Sequence, residues 1–180
     1  TWTPVSLGGN VLPGLFLAGQ RGSNRDLDVR FRTTGSTTWR NISAGANALV
    51  TGLNRTLFAS AQTGNYVLLG GRNDAARDGD RLWLLRYNLL TNTWTKPDIT
   101  FISLPHTDAD MDIAAGPNGE VIAVGERRLS TYYYIIRSTN NGATWSFYES
   151  GYTNTDSLYG IGYGDGRWVA VGGDKVYTRT

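Results

Sequence analysis

Four Thr-Trp pairs, Thr1-Trp2, Thr38-Trp39, Thr93-Trp94 and Thr144-Trp145, divide the chain into comparable units. Two units align without a gap: Leu84-Leu85-Arg86-Tyr87 leads to Trp94 just as Ile135-Ile136-Arg137-Ser138 leads to Trp145, and residues 29–39 follow the same pattern more loosely. Between the tryptophans lies a second signature, an apolar run closing on glycine. It reads Leu15-Phe16-Leu17-Ala18-Gly19, Val67-Leu68-Leu69-Gly70-Gly71, Val121-Ile122-Ala123-Val124-Gly125 and Trp168-Val169-Ala170-Val171-Gly172-Gly173. Short apolar runs rich in β-branched residues and bounded by turn residues read as buried strands. Asn118-Gly119 and Asp165-Gly166 precede two of them and suit the positive φ of a hairpin corner. A further strand precedes the turn at 56–61, 111–115 and 158–163. Each unit is thus a four-stranded antiparallel meander of strands a, b, c and d, with the Thr-Trp pair opening d.

Tryptophan intervals of 37, 55 and 51 residues lie around the roughly 40–50 residues of one β-propeller blade. The expected fold is all-β: one small propeller domain over 1–180, with about four blades at roughly 10–42, 53–97, 108–149 and 156–180 plus 1–5. Residues 176–180 look like a c strand without its Thr-Trp partner, while Thr1-Trp2-Thr3 lacks a c strand. Pairing the two closes the ring by the N-terminal strand and removes edges that invite aggregation. The first blade is the short one, its a strand reduced to 10–12 or absent.

The composition, 40% hydrophobic and 18% charged over 180 residues, suits one compact domain. No apolar run is long enough for a membrane-spanning helix, and the N-terminus lacks a signal-peptide pattern. Thr1 is a residue that permits removal of a preceding Met, which suits a whole polypeptide. Absent cysteine excludes disulfides and thiolate chemistry. A net charge of +2, from 17 basic and 15 acidic residues, gives little reason to expect nucleic acid as a partner.

Ser138-Thr139-Asn140-Asn141-Gly142-Ala143-Thr144-Trp145 resembles the Asp-box of the bacterial neuraminidase repeat, Ser-x-Asp-x-Gly-x-Thr-Trp, with Asn140 in place of the usual Asp. Together with residues 159–172 it is similar to the small propeller repeats of phage tail and receptor-binding proteins. Degenerate versions surround Trp39 and Trp94. The resemblance implies a c–d turn shaped by Ser138, Asn140, Gly142 and Thr144, with Trp145 packed between neighbouring sheets as are Trp2, Trp39 and Trp94. It implies fold rather than activity. Sialidases, the best-known bearers of the box, resemble six-bladed propellers with an arginine triad, a Tyr-Glu nucleophile pair and an acid Asp. This chain is short for six blades, contains only Glu120, Glu126 and Glu149 as glutamates, and matches no catalytic motif residue by residue. No catalytic residue and no cofactor are expected, and a glycoside hydrolase, which needs two carboxylates at a set separation, is the remote reading.

Asp108, Asp110 and Asp112 alternate like calcium ligands, but the Gly and distant Glu of an EF-hand are missing, so solvated or channel-facing carboxylates are the first reading and a metal site the weak one. His106, the sole histidine, has no partner at ligand spacing and reads as a surface residue.

The b–c and d–a connections of a meander emerge at one edge of each sheet. There the sequence places Arg21, Arg25, Arg72, Arg77, Arg81, Arg127 and Arg128, with Tyr132, Tyr148 and Tyr152 nearby. Arg and Tyr combine flat contact area with directional hydrogen bonds and are favoured in recognition surfaces. Any single loop reads as a solvated hairpin tip, and Tyr132-Tyr133-Tyr134 reads equally as packing. Long Arg-bearing connections on one edge read as a binding face. The repeated positions are scaffold Trp and Gly while the loops diverge, which favours a non-enzymatic virion component over a soluble lectin with one sugar pocket per blade. The expected partners are other virion proteins or a host surface glycan, with self-association compatible with both. The expected location is the virion, with extracellular or cytoplasmic alternatives.

Overall fold

The computed structural model describes residues 14–21, 25–51, 55–73, 82–99, 111–127, 132–151, 158–173 and 175–180. They form four antiparallel sheets in chain order. The first comprises β1 (Gly14–Arg21), β2 (Asp26–Thr33) and the two-residue β3 (Arg40–Asn41). The second comprises β4 (Arg55–Thr63), β5 (Tyr66–Asn73), β6 (Leu82–Asn88) and β7 (Thr93–Thr95). The third runs β8 (Asp112–Ala115), β9 (Val121–Arg127), β10 (Tyr132–Ser138) and β11 (Ser146–Gly151). The fourth contains β12 (Gly160–Gly164), β13 (Arg167–Gly172) and β14 (Lys175–Arg179). Strands a to d of the meander are thus β4 to β7 and β8 to β11; the first sheet shows b, c and d, and the fourth a, b and c. The three-strand count of the end sheets applies to the described residues, and the a-strand candidate 10–12 lies outside them.

The apolar b runs are strands because both faces are covered. In β5, Val67 and Leu69 join a core with Leu27, Val29 and Phe31 of the first sheet. Leu68, on the opposite face, joins Val121, Ala123 and Ile136 of the third. A third core, with Ile122, Val124, Leu158, Trp168 and Ala170, joins the third and fourth sheets. Leading strands lie side by side, β1 against β4, β4 against β8 and β8 against β12. The far faces of the two end sheets are uncovered: Leu15 is 55% and Leu17 58% exposed in β1, and Val171 is 42% and Val176 65% exposed in the fourth sheet.

The hairpin corners follow their turn chemistry. Asp165 and Gly166 have positive φ, as their two-residue corner between β12 and β13 requires, and Asn118 and Gly119 have it within the longer connection 116–120 between β8 and β9.

Two features depart from the sequence reading. The connection after β3 holds a helix, α1 (Ser43–Leu49), in a chain expected to be all-β. Its Ala-rich sequence favours helix, and Ile42, Ala46 and Val50, four residues apart, bury one stripe in the core between the first and second sheets. The Ser43 hydroxyl bonds both the N–H (2.8 Å) and the C=O (3.2 Å) of Val29. The Asn47 amide does the same for Leu27, at 2.9 Å each way. Two side chains thereby stand in for a strand along β2, whose partner β3 is too short to cover it. The second departure is Trp39, which is half-buried on the far face of the first sheet with the Arg32 guanidinium 5.1 Å from its ring, instead of lying between two described sheets. Residues 148–151, expected in a d–a loop, are part of β11, while Tyr133 and Tyr134 are buried packing residues.

The box turn is an inter-sheet latch. Ser138 Oγ donates to Asn140 Oδ1 (2.9 Å) and accepts from the N–H of Gly142 (2.9 Å). Asn140 Oδ1 also accepts from the N–H of Thr144, and its Nδ2 donates to Thr144 Oγ1. Gly142 has φ +76°, and a Cβ there would lie 2.6 Å from Leu68 of the second sheet, so glycine is needed for both conformation and approach. From the same turn, Asn141 Oδ1 meets Thr63 Oγ1 (3.0 Å) and its carbonyl accepts from Arg86 Nε (2.8 Å). Trp145, buried in the same core, donates through Nε1 to Gly142 O. Trp94 is the counterpart one interface earlier: its Nε1 donates to Ile42 O (2.8 Å), and Gly45 of α1 leaves room for the ring.

Trp145→Ala is therefore expected to lower unfolding free energy by about 3–5 kcal/mol. Arg21→Ala, at an exposed position, should stay within about 0.5 kcal/mol. Chemical denaturation of both variants tests this, and the reverse ranking refutes the assignment of core and edge.

Candidate functional site

The b–c hairpins of the first three sheets each close their ladders on an arginine: Arg21 opposite Asp26, Arg72 opposite Leu82 and Arg127 opposite Tyr132. These arginines differ in how they are held. Arg21 is exposed. Arg25, at φ +53°, donates from Nη1 to Thr56 Oγ1 (2.9 Å) across to β4. Arg72 lies with its guanidinium 5.1 Å from the Phe58 ring. Arg25 and Arg72 are thus braced against the second sheet rather than extended into solvent. Gln20 adds to the brace, bonding the Arg55 carbonyl (2.8 Å) and the Leu57 N–H (3.1 Å). Arg127 and Tyr132 are placed only as the ends of β9 and β10. Arg77, Arg81, Arg128 and Tyr152 lie outside the described residues, as do Trp2, His106, Asp108 and Asp110.

Beside this edge, a wide solvent-open concavity of about 870 Å³ lies between α1 and β7. Arg21, Arg40, Asn41, Asn92 and the edge of Trp94 are among its walls, with no carboxylate among the lining side chains. Nearby on β2, Arg30 Nε donates to Asp28 Oδ1 at 3.0 Å. That bond holds the Asp28 carboxyl below its usual value of 3.8, burial opposes it, and the charges of Arg30 and Arg21 add to it. The pair's contribution is present above the unfolded value and lost as pH falls through the lowered folded one.

Two polar groups were not legible as functional in the sequence. Arg55 is buried at the start of β4, its guanidinium bonded to Asn47 Oδ1 (3.0 Å) and paired with Asp26 (3.3 Å). Glu120, mostly buried between the third and fourth sheets, accepts from Arg137 Nε (2.6 Å), lies 3.5 Å from Arg179 Nη1 and receives Trp168 Nε1 at 3.3 Å. Arg137 stands at the same offset as Arg86 in the aligned units, which was the available signal; its acidic partner, seventeen residues away, was not marked by any spacing rule. Among the described side chains this cluster pairs one carboxylate with two guanidiniums, whereas acid–base glycoside cleavage uses two carboxylates at a set separation.

Of the three alternating aspartates, Asp112 is the one described. Its Oδ1 accepts from the Ile113 N–H (2.9 Å) and its Oδ2 from the N–H of Ile161 (2.8 Å), tying β8 to β12. Both oxygens serve backbone donors, and among the described residues no three His, Cys, Asp or Glu side chains cluster as ligands.

No protein-family model matches the chain, and no curated protein sequence matches it. Its fold is similar to that of a prolyl endopeptidase, with a TM-score of 0.56 and 12% identity over 93% of this chain and 27% of that one. It is also similar to Trypanosoma rangeli sialidase, with a TM-score of 0.51 and 16% identity over 88% of this chain and 32% of the enzyme. The same sialidase in complex with a difluoro-KDN gives 0.52 and 15%, over 87% and 31%. The chain therefore spans about a third or less of each of these proteins. At such identities the likeness shows the fold alone, that of β-propeller sheets of the sialidase kind.

Asp112→Ala, by leaving the Ile161 N–H without its acceptor, is expected to cost about 1–3 kcal/mol. Calcium added to the parent protein should leave its melting temperature unchanged; a calcium-dependent rise abolished by Asp112→Ala would establish the metal assignment.

Proposed function

We propose that the chain is a four-bladed propeller, closed into a ring, that acts without catalysis as a recognition module of a phage virion. It binds a protein partner or host surface glycan through the b–c edge. The observation that carries the binding face is the recurrence of an arginine at the open end of three successive b–c hairpins, two of whose neighbourhoods hold Arg25 and Arg72 in place before any partner arrives. Ordering side chains in advance lowers the entropic cost of association. Arg rather than Lys suits planar or anionic groups, through forked hydrogen bonds and stacking. The opposite edge is occupied by its own latches, since the Asn141 N–H, carbonyl and side chain all bond within the scaffold.

Closure is supported by the uncovered faces. Trp94 and Trp145 each pack toward the preceding sheet, and Trp39 points its half-buried ring off the first sheet in the same sense, alongside Leu15 and Leu17. In a closed ring these residues cover Val169, Val171 and Val176 of the fourth sheet.

Replacing Arg72, Arg77, Arg127 and Arg128 together with Ala should abolish attachment to the virion or to arrayed host glycans while the melting temperature is retained. A quadruple variant that binds like the parent overturns the face. Hydrolysis of sialosides or other glycosides by the purified protein overturns the non-enzymatic reading.

A further inference from the structure

The interface between the third and fourth sheets differs from the two before it by one missing wedge. Trp94 closes the first interface and Trp145 the second, each carried at the outer edge of its sheet. At the third, a cleft of about 260 Å³ remains, with Ile135 and Tyr148 on one side and Trp168, Tyr177 and Arg179 on the other. It opens at the outer edge of β14, which among the described residues pairs only with β13.

Register specifies what the cleft lacks. The c-strand residue opposite the first b-run position is Arg32 against Leu15, Tyr87 against Val67, Ser138 against Val121 and Arg179 against Trp168. Tyr87 in turn pairs with Trp94, their rings 4.8 Å apart. Arg32, at the same position in the first sheet, carries Trp39 at 5.1 Å. Arg179 therefore stands where a d-strand tryptophan should meet it. Its guanidinium lies 4.6 Å from the Tyr148 ring on one side, and its buried Nη1 is ion-paired with Glu120 Oε1 at 3.5 Å without hydrogen-bond geometry. A second aromatic face would complete a cation–π stack.

We propose that this site is filled by the chain's own Thr1-Trp2-Thr3. The segment repeats Thr93-Trp94-Thr95, the whole of β7, residue for residue. Laid antiparallel on β14 in the β7 register, it sets Trp2 opposite Arg179, in the cleft, and Thr3 opposite Thr178, as Thr95 lies opposite Arg86. The proposal extends the closed-ring reading by naming the strand and its seat, and it is independent of which partner the arginine edge binds.

The chain has no cysteine, so an introduced pair reports without interference. In the Thr3→Cys/Thr178→Cys variant, mild oxidation should give a monomer whose two thiols are joined within one chain, shown by peptide mass mapping. Separately, Trp2→Phe should remove a blue-shifted, buried component from the fluorescence spectrum. Absence of the intramolecular bond, a bond formed only between two copies, or a Trp2 component with solvent-exposed emission each overturns the proposal. The emission of Trp39, read through Trp39→Phe, reports ring closure on its own: a solvent-exposed Trp39 refutes the closed ring, and lost partner binding with the cross-link intact refutes neither.

Discussion

Each central sheet of this molecule must have both faces covered, and most other features follow from that. Val67 and Leu69 turn one way and Leu68 the other, and all three are fully buried. A sheet of three or four strands with two apolar faces cannot persist alone in water. Each unit therefore needs a neighbour on either side, and the small residues, wedged tryptophans and box latch are ways of bringing neighbours close. The end sheets carry the same two-faced pattern with one face still uncovered.

The strands that make this stack were legible because their signal is strong: unbroken apolar runs ended by glycine, and corners of Asn-Gly or Asp-Gly whose positive φ few other residues accept. The Ser138 to Trp145 turn was legible for the same reason, since the side chains of Ser138, Asn140 and Thr144 bond to one another within it. What escaped was non-local. Helix α1 is only seven residues long and interrupted by Gly45, and its stripe of Ile42, Ala46 and Val50 has too few members to stand out. Asp112 was one of three alternating carboxylates read first as solvated or channel-facing, and only the approach of β12 shows that its oxygens accept from the N–H groups of Ile113 and Ile161. Arg25 and Arg72 were read as solvent-facing from their loops; their contacts with Thr56 and Phe58 depend on how the first and second sheets meet.

The two edges of the sheets are under different constraints. At the a–b and c–d edge, Gly119, Asn141 and Thr63 bond to one another across turns, so a change there disturbs an interface. At the b–c edge the hairpins differ in length and sequence from sheet to sheet, with the ladder intact up to their ends. Sequence change can accumulate at that second edge without loosening the stack. The fold likeness to hydrolases concerns the stack, and the chemistry of any such protein resides in its loops.

The seat of α1 on β2 also fixes how large that helix can be. Four residues of helix advance about 6 Å and two residues of strand about 6.7 Å. Ser43 and Asn47 can therefore meet Val29 and Leu27 nearly in step, with helix and strand running in opposite directions. A third contact would accumulate a mismatch of more than 1 Å, enough to ruin a hydrogen bond. The two lattices are commensurate over one repeat only, so a helix can seal a strand edge in this way as a brief patch and not as a continuous substitute for a missing strand.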